Sequence, residues 1–153
     1  MHVIGYGTFL FRSMRQHFAL IPIRTVKIYG YQRIYHNNLP HTYPFIIESK
    51  AENFFTGILF QISQKSLLQL DIYEGVPKLY RRINYPLDLP EMKVNPCYLY
   101  VPSKTILNQL EVEIKLYLSP KEQEEIFSSD LWLDYLREQE PELVKEFPDL
   151  FAT

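Results

Sequence analysis

One cysteine, Cys97, is all that the 153 residues contain. That excludes an internal disulfide and any metal site built on several thiolates. No apolar run approaches the roughly 18 residues of a membrane span. The opening Met1-His2-Val3-Ile4-Gly5-Tyr6 has neither a basic leader nor a long apolar stretch, so no secretory signal is legible. A cytoplasmic location with no membrane partner is the expectation. Glycine is scarce, at 5 residues, and Gly7, Gly30 and Gly75 fall where strands or helices are expected to break. No internal repeat, low-complexity segment or composition break marks a second domain.

What is present suits a folded chain. Hydrophobic residues make up 46% and charged residues 22%, and the aromatics, 12 Tyr and 10 Phe among them, favour sheet. One domain is expected over residues 1–153, with a core in 1–102 and a helical, acidic extension in 103–153. Charge is uneven: residues 1–110 carry +6, and residues 111–153, with 12 acids against 4 bases, carry −8. The plain reading of that acidic end is a solvated helical face; packing against the more basic body is the sharper one.

Along the chain, Val3 to Tyr6 reads as a short strand broken at Gly7, and Arg12 to Leu20 as a short helix before Pro22. Thr25 to Tyr35 reads as one long or two shorter strands bent at Gly30. Turn chemistry follows in His36-Asn37-Asn38-Leu39-Pro40-His41. Further strands are expected at Phe45 to Ile47, at Phe54 to Ile62 with Ile58, Phe60 and Ile62 on one face, at Tyr80 to Tyr85 and at Pro96 to Val101. Ser63 suits the cap of a helix ending beside Glu74. Ser119-Pro120-Lys121-Glu122 is a capping-box start for a helix running to about Gln139. The fold class is therefore α+β with a mostly antiparallel or mixed sheet, closing into a small barrel.

The chemistry concentrates at Leu70-Asp71-Ile72-Tyr73-Glu74-Gly75-Val76-Pro77. Glycine favours the left-handed position past a helix end, and proline cannot continue the helix. A carboxylate there faces the negative end of the helix dipole, and desolvation, if the site is buried, adds to the same effect. Both favour protonation, which suits acid–base chemistry near neutrality. A solvated glutamate in a turn is the bland alternative. Gly5-Tyr6-Gly7-Thr8-Phe9, between the first strand and a helix, offers backbone N–H groups for an anion; it lacks the third glycine and the βαβ setting of a dinucleotide site. His2, His17, His36 and His41 lack metal-site spacing, so no metal and no other cofactor is expected. Cys97 reads as a buried strand residue. The Tyr29 to His36 stretch, with Arg33, reads as core strand rather than a surface for nucleobases, so no nucleic acid is expected. Adjacent strand residues face opposite ways, so at most one of Arg81 and Arg82 enters a pocket.

Taken together, Tyr6-Gly7-Thr8-Phe9 after a first strand, Leu70-Asp71-Ile72-Tyr73-Glu74-Gly75, Tyr80-Arg81-Arg82 and the late strand Tyr98-Leu99-Tyr100-Val101 resemble the gamma-glutamylcyclotransferase-like family, over about residues 1–102. The resemblance implies a small mixed barrel with flanking helices and release of 5-oxoproline from a small gamma-glutamyl amine or amino acid. It implies Glu74 as general acid/base, Tyr6, Gly7, Thr8 and Phe9 as the substrate loop, and Tyr80 and Arg81 as further substrate contacts. Phe9 stands where the family has leucine or asparagine, and Pro102-Ser103-Lys104-Thr105 lacks a tyrosine that some members carry. A non-catalytic ligand-binding or interaction module on the same fold is the alternative.

Overall fold

Val3 and Ile4 point to opposite sides of the first strand, and both are fully buried. A strand apolar on both faces must be covered on both. The computed structural model describes residues 1–152. Its strands are β1 (His2–Gly5), β2 (Ile21–Tyr29), β3 (Tyr31–Ile34), β4 (Phe45–Glu48), β5 (Phe54–Gln61), β6 (Tyr80–Asn84) and β7 (Cys97–Pro102). Five of them form one sheet in the order β2-β5-β1-β7-β6, and β3 and β4 form a separate pair. β1 lies at the centre, antiparallel to β5 and parallel to β7. Gly30, at φ +86°, lets the chain leave the large sheet and enter the small one. The helices are α1 (Arg12–His17), α2 (Gln64–Tyr73), α3 (Lys104–Tyr117), α4 (Pro120–Ser128), α5 (Leu131–Gln139) and α6 (Pro141–Glu146).

Three apolar clusters hold these layers. Val3, Ile58 and Phe60 meet α2 through Leu67 and Leu70 and meet α5 through Trp132 and Leu136. On the opposite face, Ile4, Leu59 and Leu99 pack with Val26, Ile28 and Ile46. A smaller cluster joins β3 and β4 to α3 and α4 through Ile34, Phe45, Leu110 and Ile126. Trp132 is fully buried, edge-on to Phe11 at 5.8 Å and to Tyr35 at 5.0 Å. Cys97 is buried, and desolvation pushes its thiol up to about 12.

The architecture is α+β with a mixed sheet, as the sequence predicts, but no closed barrel forms. β2 and β6 remain edges. A groove of about 940 Å³ separates residues 24–29 of β2 from the segment 85–89 that follows β6. Pro86 and Pro90 have no N–H to give to a ladder, and the two rims touch through a side chain, the Tyr85 hydroxyl donating to the Tyr29 carbonyl at 2.9 Å. Among the described residues no helix is long and apolar enough to cross a membrane.

A second correction concerns the helix expected to run to Gln139. Its start is as predicted: the Ser119 and Glu122 capping box is formed, with Pro120 at the first turn. It then breaks between α4 and α5, where Ser129 and Asp130 leave helical geometry. The cause is tertiary. Asp130 turns its carboxylate onto Arg33, at 2.9 Å from Nη2 and 3.1 Å from Nε. The same guanidinium donates to the Tyr6 carbonyl at 2.8 Å and the Thr56 carbonyl at 2.9 Å. Its side chain is wholly buried.

Other acids of residues 111–153 also reach the body: Glu146 pairs with Arg15 at 3.2 Å, Glu140 accepts from the Arg12 N–H at 2.7 Å, and Glu122 lies 3.5 Å from His36. The Glu146 and Glu140 contacts are exposed and contribute little; the Arg33–Asp130 pair is different. Arg33→Ala leaves one carboxylate and two carbonyls without their donor, and a loss of about 3–5 kcal/mol is expected. Urea denaturation checks it, and a loss below about 1 kcal/mol contradicts the role given to the pair.

Candidate active site

The turn after β1 is held from below. Tyr6 sends its hydroxyl to the Tyr100 carbonyl at 2.8 Å and sets its ring edge-on to Phe55 at 5.8 Å. Its own carbonyl is the one Arg33 holds. Thr8–Leu10 then form a single 3-10 turn, in which Leu10 N–H donates to Gly7 and Phe11 N–H donates to Thr8, each at 3.0 Å. Those bonds leave the N–H groups of Gly7, Thr8 and Phe9 outside the turn's own pattern. Phe9 is buried against Phe18, Tyr73 and Tyr100. Gly7 is a close approach: a Cβ there would stand 3.0 Å from Cγ of Pro44.

The acid arrives on α2. Ser63 caps the helix, its hydroxyl accepting from Ser66 N–H at 3.1 Å, while Leu67 and Leu70 bury one face. Glu74 is the last residue before the turn, and Gly75 follows at φ +65°. A Cβ on Gly75 would meet Leu79 at 2.9 Å. Leu79 N–H donates back to the Gly75 carbonyl at 2.9 Å, so the chain doubles round and brings Tyr80 beside Glu74.

Asp71, one turn earlier, ties α2 to the sheet. It accepts from the Tyr100 hydroxyl at 2.7 Å and from Arg82 at 2.9 Å, and Arg82 also lies over the Tyr98 ring at 4.6 Å. Tyr100 thus links both halves of the site, its carbonyl bound by Tyr6 and its hydroxyl by Asp71.

These elements enclose a cleft of about 300 Å³. Tyr6, Gly7, Thr8 and Phe9 form one wall, Tyr43 and Pro44 a second, and Tyr73, Glu74, Leu79 and Tyr80 the third. Glu74 is the cleft's one charged side chain among the described residues. Burial pushes its carboxyl up to about 7, and no charge or hydrogen-bond partner adds to the effect. Burial, with Glu74's charge as a lesser cause, also raises the Tyr6 and Tyr80 hydroxyls. The larger groove beside β2 contains neither the turn after β1 nor Glu74.

The residues named from sequence therefore meet in one place, with one exception. Arg81 is exposed and lies outside the cleft. Strand alternation turns Arg82 the other way, and it goes to Asp71 rather than to the cleft. Missed from sequence were Tyr43 and Pro44, which come from an irregular connection with no periodic signal. Leu79 and Asp130 carry no signal in the sequence either; Asp71, Tyr73 and Tyr100 lie inside motifs quoted for the resemblance and Arg33 inside an expected strand, none with a role of its own. Among the described residues no cluster of three His, Cys, Asp or Glu is arranged to hold a metal ion.

Residues 3–134 match the family described as gamma-glutamyl cyclotransferase, AIG2-like. That match runs past residue 102 to include α3, α4 and the start of α5. No curated protein matches the chain. Among solved structures, one titled gamma-glutamyl cyclotransferase is similar with a TM-score of 0.53 and 15% identity, over 90% of this chain and 98% of its own. A crystal structure of an uncharacterised protein from Homo sapiens gives 0.53 and 16%, over 84% and 87%. A solution structure from Arabidopsis thaliana gives 0.53 and 15%, over 95% and 86%. At such identities these likenesses concern the fold.

The shifted carboxyl has a consequence for stability. Its folded value lies above the unfolded one, so folding takes up a proton between about 4.5 and 7. The cost of the ionised group grows through that window and is complete above it. Glu74→Gln is neutral at every pH. It is expected to be more stable than wild type near pH 8, by up to about 3 kcal/mol, with the advantage gone near pH 4. Urea melts at the two pH values test this; a variant no more stable than wild type near pH 8 contradicts it.

Proposed function

The chain belongs to the gamma-glutamyl cyclotransferase, AIG2-like family, and from that premise we propose that it releases 5-oxoproline from a small gamma-glutamyl amide, with Glu74 as the general acid and base. One observation carries the reading: a partly dry carboxyl, pushed up to about 7, shares a small cleft with the turn after β1, whose Gly7, Thr8 and Phe9 N–H groups lie outside the turn's own bonds.

The reaction needs no protein nucleophile. Glu74, as carboxylate, takes a proton from the substrate's α-ammonium. The freed amine attacks the substrate's own γ-carbonyl carbon, closing a five-membered ring and placing negative charge on the carbonyl oxygen. Glu74, now protonated, gives its proton to the leaving nitrogen as the C–N bond breaks. The ring nitrogen sheds its second proton, and the released amine departs as an ammonium ion, so charge and protons balance. A group whose value lies near ambient pH serves both steps.

Ring closure is intramolecular, so most of the protein's contribution is orientation. The N–H groups of Gly7, Thr8 and Phe9 suit the α-carboxylate or the developing oxyanion, and they are fixed in advance by the Tyr6 and Arg33 contacts. Tyr6 and Tyr80 wall the buried end. Tyr80, a strand neighbour of exposed Arg81, is the one of the pair that enters this reading as a substrate contact.

Glu74→Gln is expected to lower 5-oxoproline release by at least about 100-fold while the fold is retained. In the wild-type enzyme kcat/KM is expected to rise with pH through about 7, because the carboxylate form begins the reaction. Retention of wild-type turnover by the variant contradicts the assignment. Gly7→Ala is expected to lower kcat, since the new methyl presses on Pro44 across the cleft; chromatographic assay of 5-oxoproline reads both variants.

A further inference from the structure

The gamma-glutamyl half of a substrate occupies only the inner part of the cleft. On the cyclotransferase reading, its α-ammonium and γ-carbonyl must lie at Glu74 and the turn N–H groups, between buried Tyr6 and Phe9. The rest of the molecule then extends past Tyr43, Tyr73 and Leu79. These three stand at the mouth, 38%, 52% and 49% exposed. Resting on that reading, we propose that the mouth is a leaving-group subsite for an amine whose substituent is flat, apolar and uncharged, walled by Tyr43 and Tyr73 with Leu79 at the rim, and that these residues determine specificity.

Two features of the mouth lead to this occupant. Its walls are aromatic and already fixed. Tyr43 leans on His41 at 5.3 Å and Phe45 at 5.4 Å, and Tyr73 leans on Phe18 at 5.5 Å and Phe9 at 6.4 Å. Rings held by other rings lose little freedom when a third ring arrives, and stacked or edge-on aromatic contacts add to the area they bury.

The electrostatics point the same way. No Lys, Arg or His lines the cleft among the described residues, and the one charge inside it is Glu74. Burial, and after it the nearby Glu113, raises the Tyr43 hydroxyl, so a second acid stands behind that wall. His41 is bonded to Glu113 and faces it. A carboxylate on the leaving group would lose water here with no cation to meet it and with like charge nearby.

Three substrates isolate the two effects. Gamma-glutamyl-phenethylamide and gamma-glutamyl-ethylamide differ only by the phenyl ring; gamma-glutamyl-phenethylamide and gamma-glutamyl-phenylalanine differ only by a carboxylate. The phenethylamide is expected to exceed each of the others in kcat/KM by about tenfold or more. Tyr43→Ala and Tyr73→Ala should each narrow the phenethyl-to-ethyl ratio, while Tyr43→Phe retains it. Leu79→Arg should raise the phenylalanine derivative relative to the phenethylamide. Equal kcat/KM for the ethylamide, or for the phenylalanine derivative, overturns the subsite while leaving the cyclotransferase reading in place.

Glutaric acid mono-phenethylamide and mono-ethylamide lack the α-amine and cannot cyclise, so calorimetry with them reads the subsite apart from the chemistry. If no gamma-glutamyl compound turns over, the cyclotransferase reading fails. A roughly tenfold tighter binding of the mono-phenethylamide then still supports the aromatic mouth, and equal binding of the two overturns it.

Discussion

A carboxyl kept partly out of water is the constraint around which the site is arranged. Ionised Glu74 is costly where it sits, and the dipole of the helix that carries it gives no relief. The chain tolerates this because the backbone on either side is determined by other contacts. Ser63 starts α2 and Gly75 stops it. Asp71 pins the last turn to Tyr100 and Arg82. Each of these bonds would be an ordinary local stabiliser elsewhere; together they hold one side chain in a place it would not choose. Strain or cost of this sort, maintained by its surroundings, is characteristic of sites that perform chemistry.

The second half of the arrangement is the turn that faces the acid, and it depends on residues distant in sequence. Arg33, from the small β-pair, holds the carbonyl of Tyr6 and the carboxylate of Asp130 at once. The acidic end of the chain is therefore partly structural. One of its carboxylates reaches, through a buried guanidinium, the turn proposed to orient the substrate. Glu113 is bonded to His41 in a half-buried contact, and most of the other acids make exposed contacts of small individual worth or face solvent. Tyr6, bonded to Tyr100, closes the circuit between the turn and α2. In the proposed reaction, where little is asked of the protein beyond orientation and a proton, a rigid frame of this kind is what the chemistry requires.

What could be read from the amino-acid sequence follows the reach of the interactions involved. α2 and its acid are set by local rules, a serine cap, an apolar stripe and a glycine past the end, so both were legible. So were Ser119 and Glu122, and the turn after β1. The break at Asp130 was not, because nothing within α4 or α5 demands it; Arg33 does, from about a hundred residues away. Arginine is rarely buried unless paired, so a strand pattern over Tyr29 to His36 does not reveal that its one arginine is a buried tie. The sheet's failure to close depends on how the proline-bearing segment after β6 lies beside β2, which no periodicity encodes. Tyr43 and Pro44 come from an irregular connection, and their place opposite Glu74 follows from the packing of β4 against the rest. Arg81 and Arg82 show a finer limit: alternation says that they diverge, but not which side holds the site.

The state of one proton decides the matter. A carbon-detected NMR titration of the Glu74 carboxyl in the intact protein reads it directly. The account predicts a midpoint near 7, where burial has moved it. An ordinary carboxylate midpoint near 4.5 would mean that water reaches the group freely, and the acid–base role built on its burial would be contradicted.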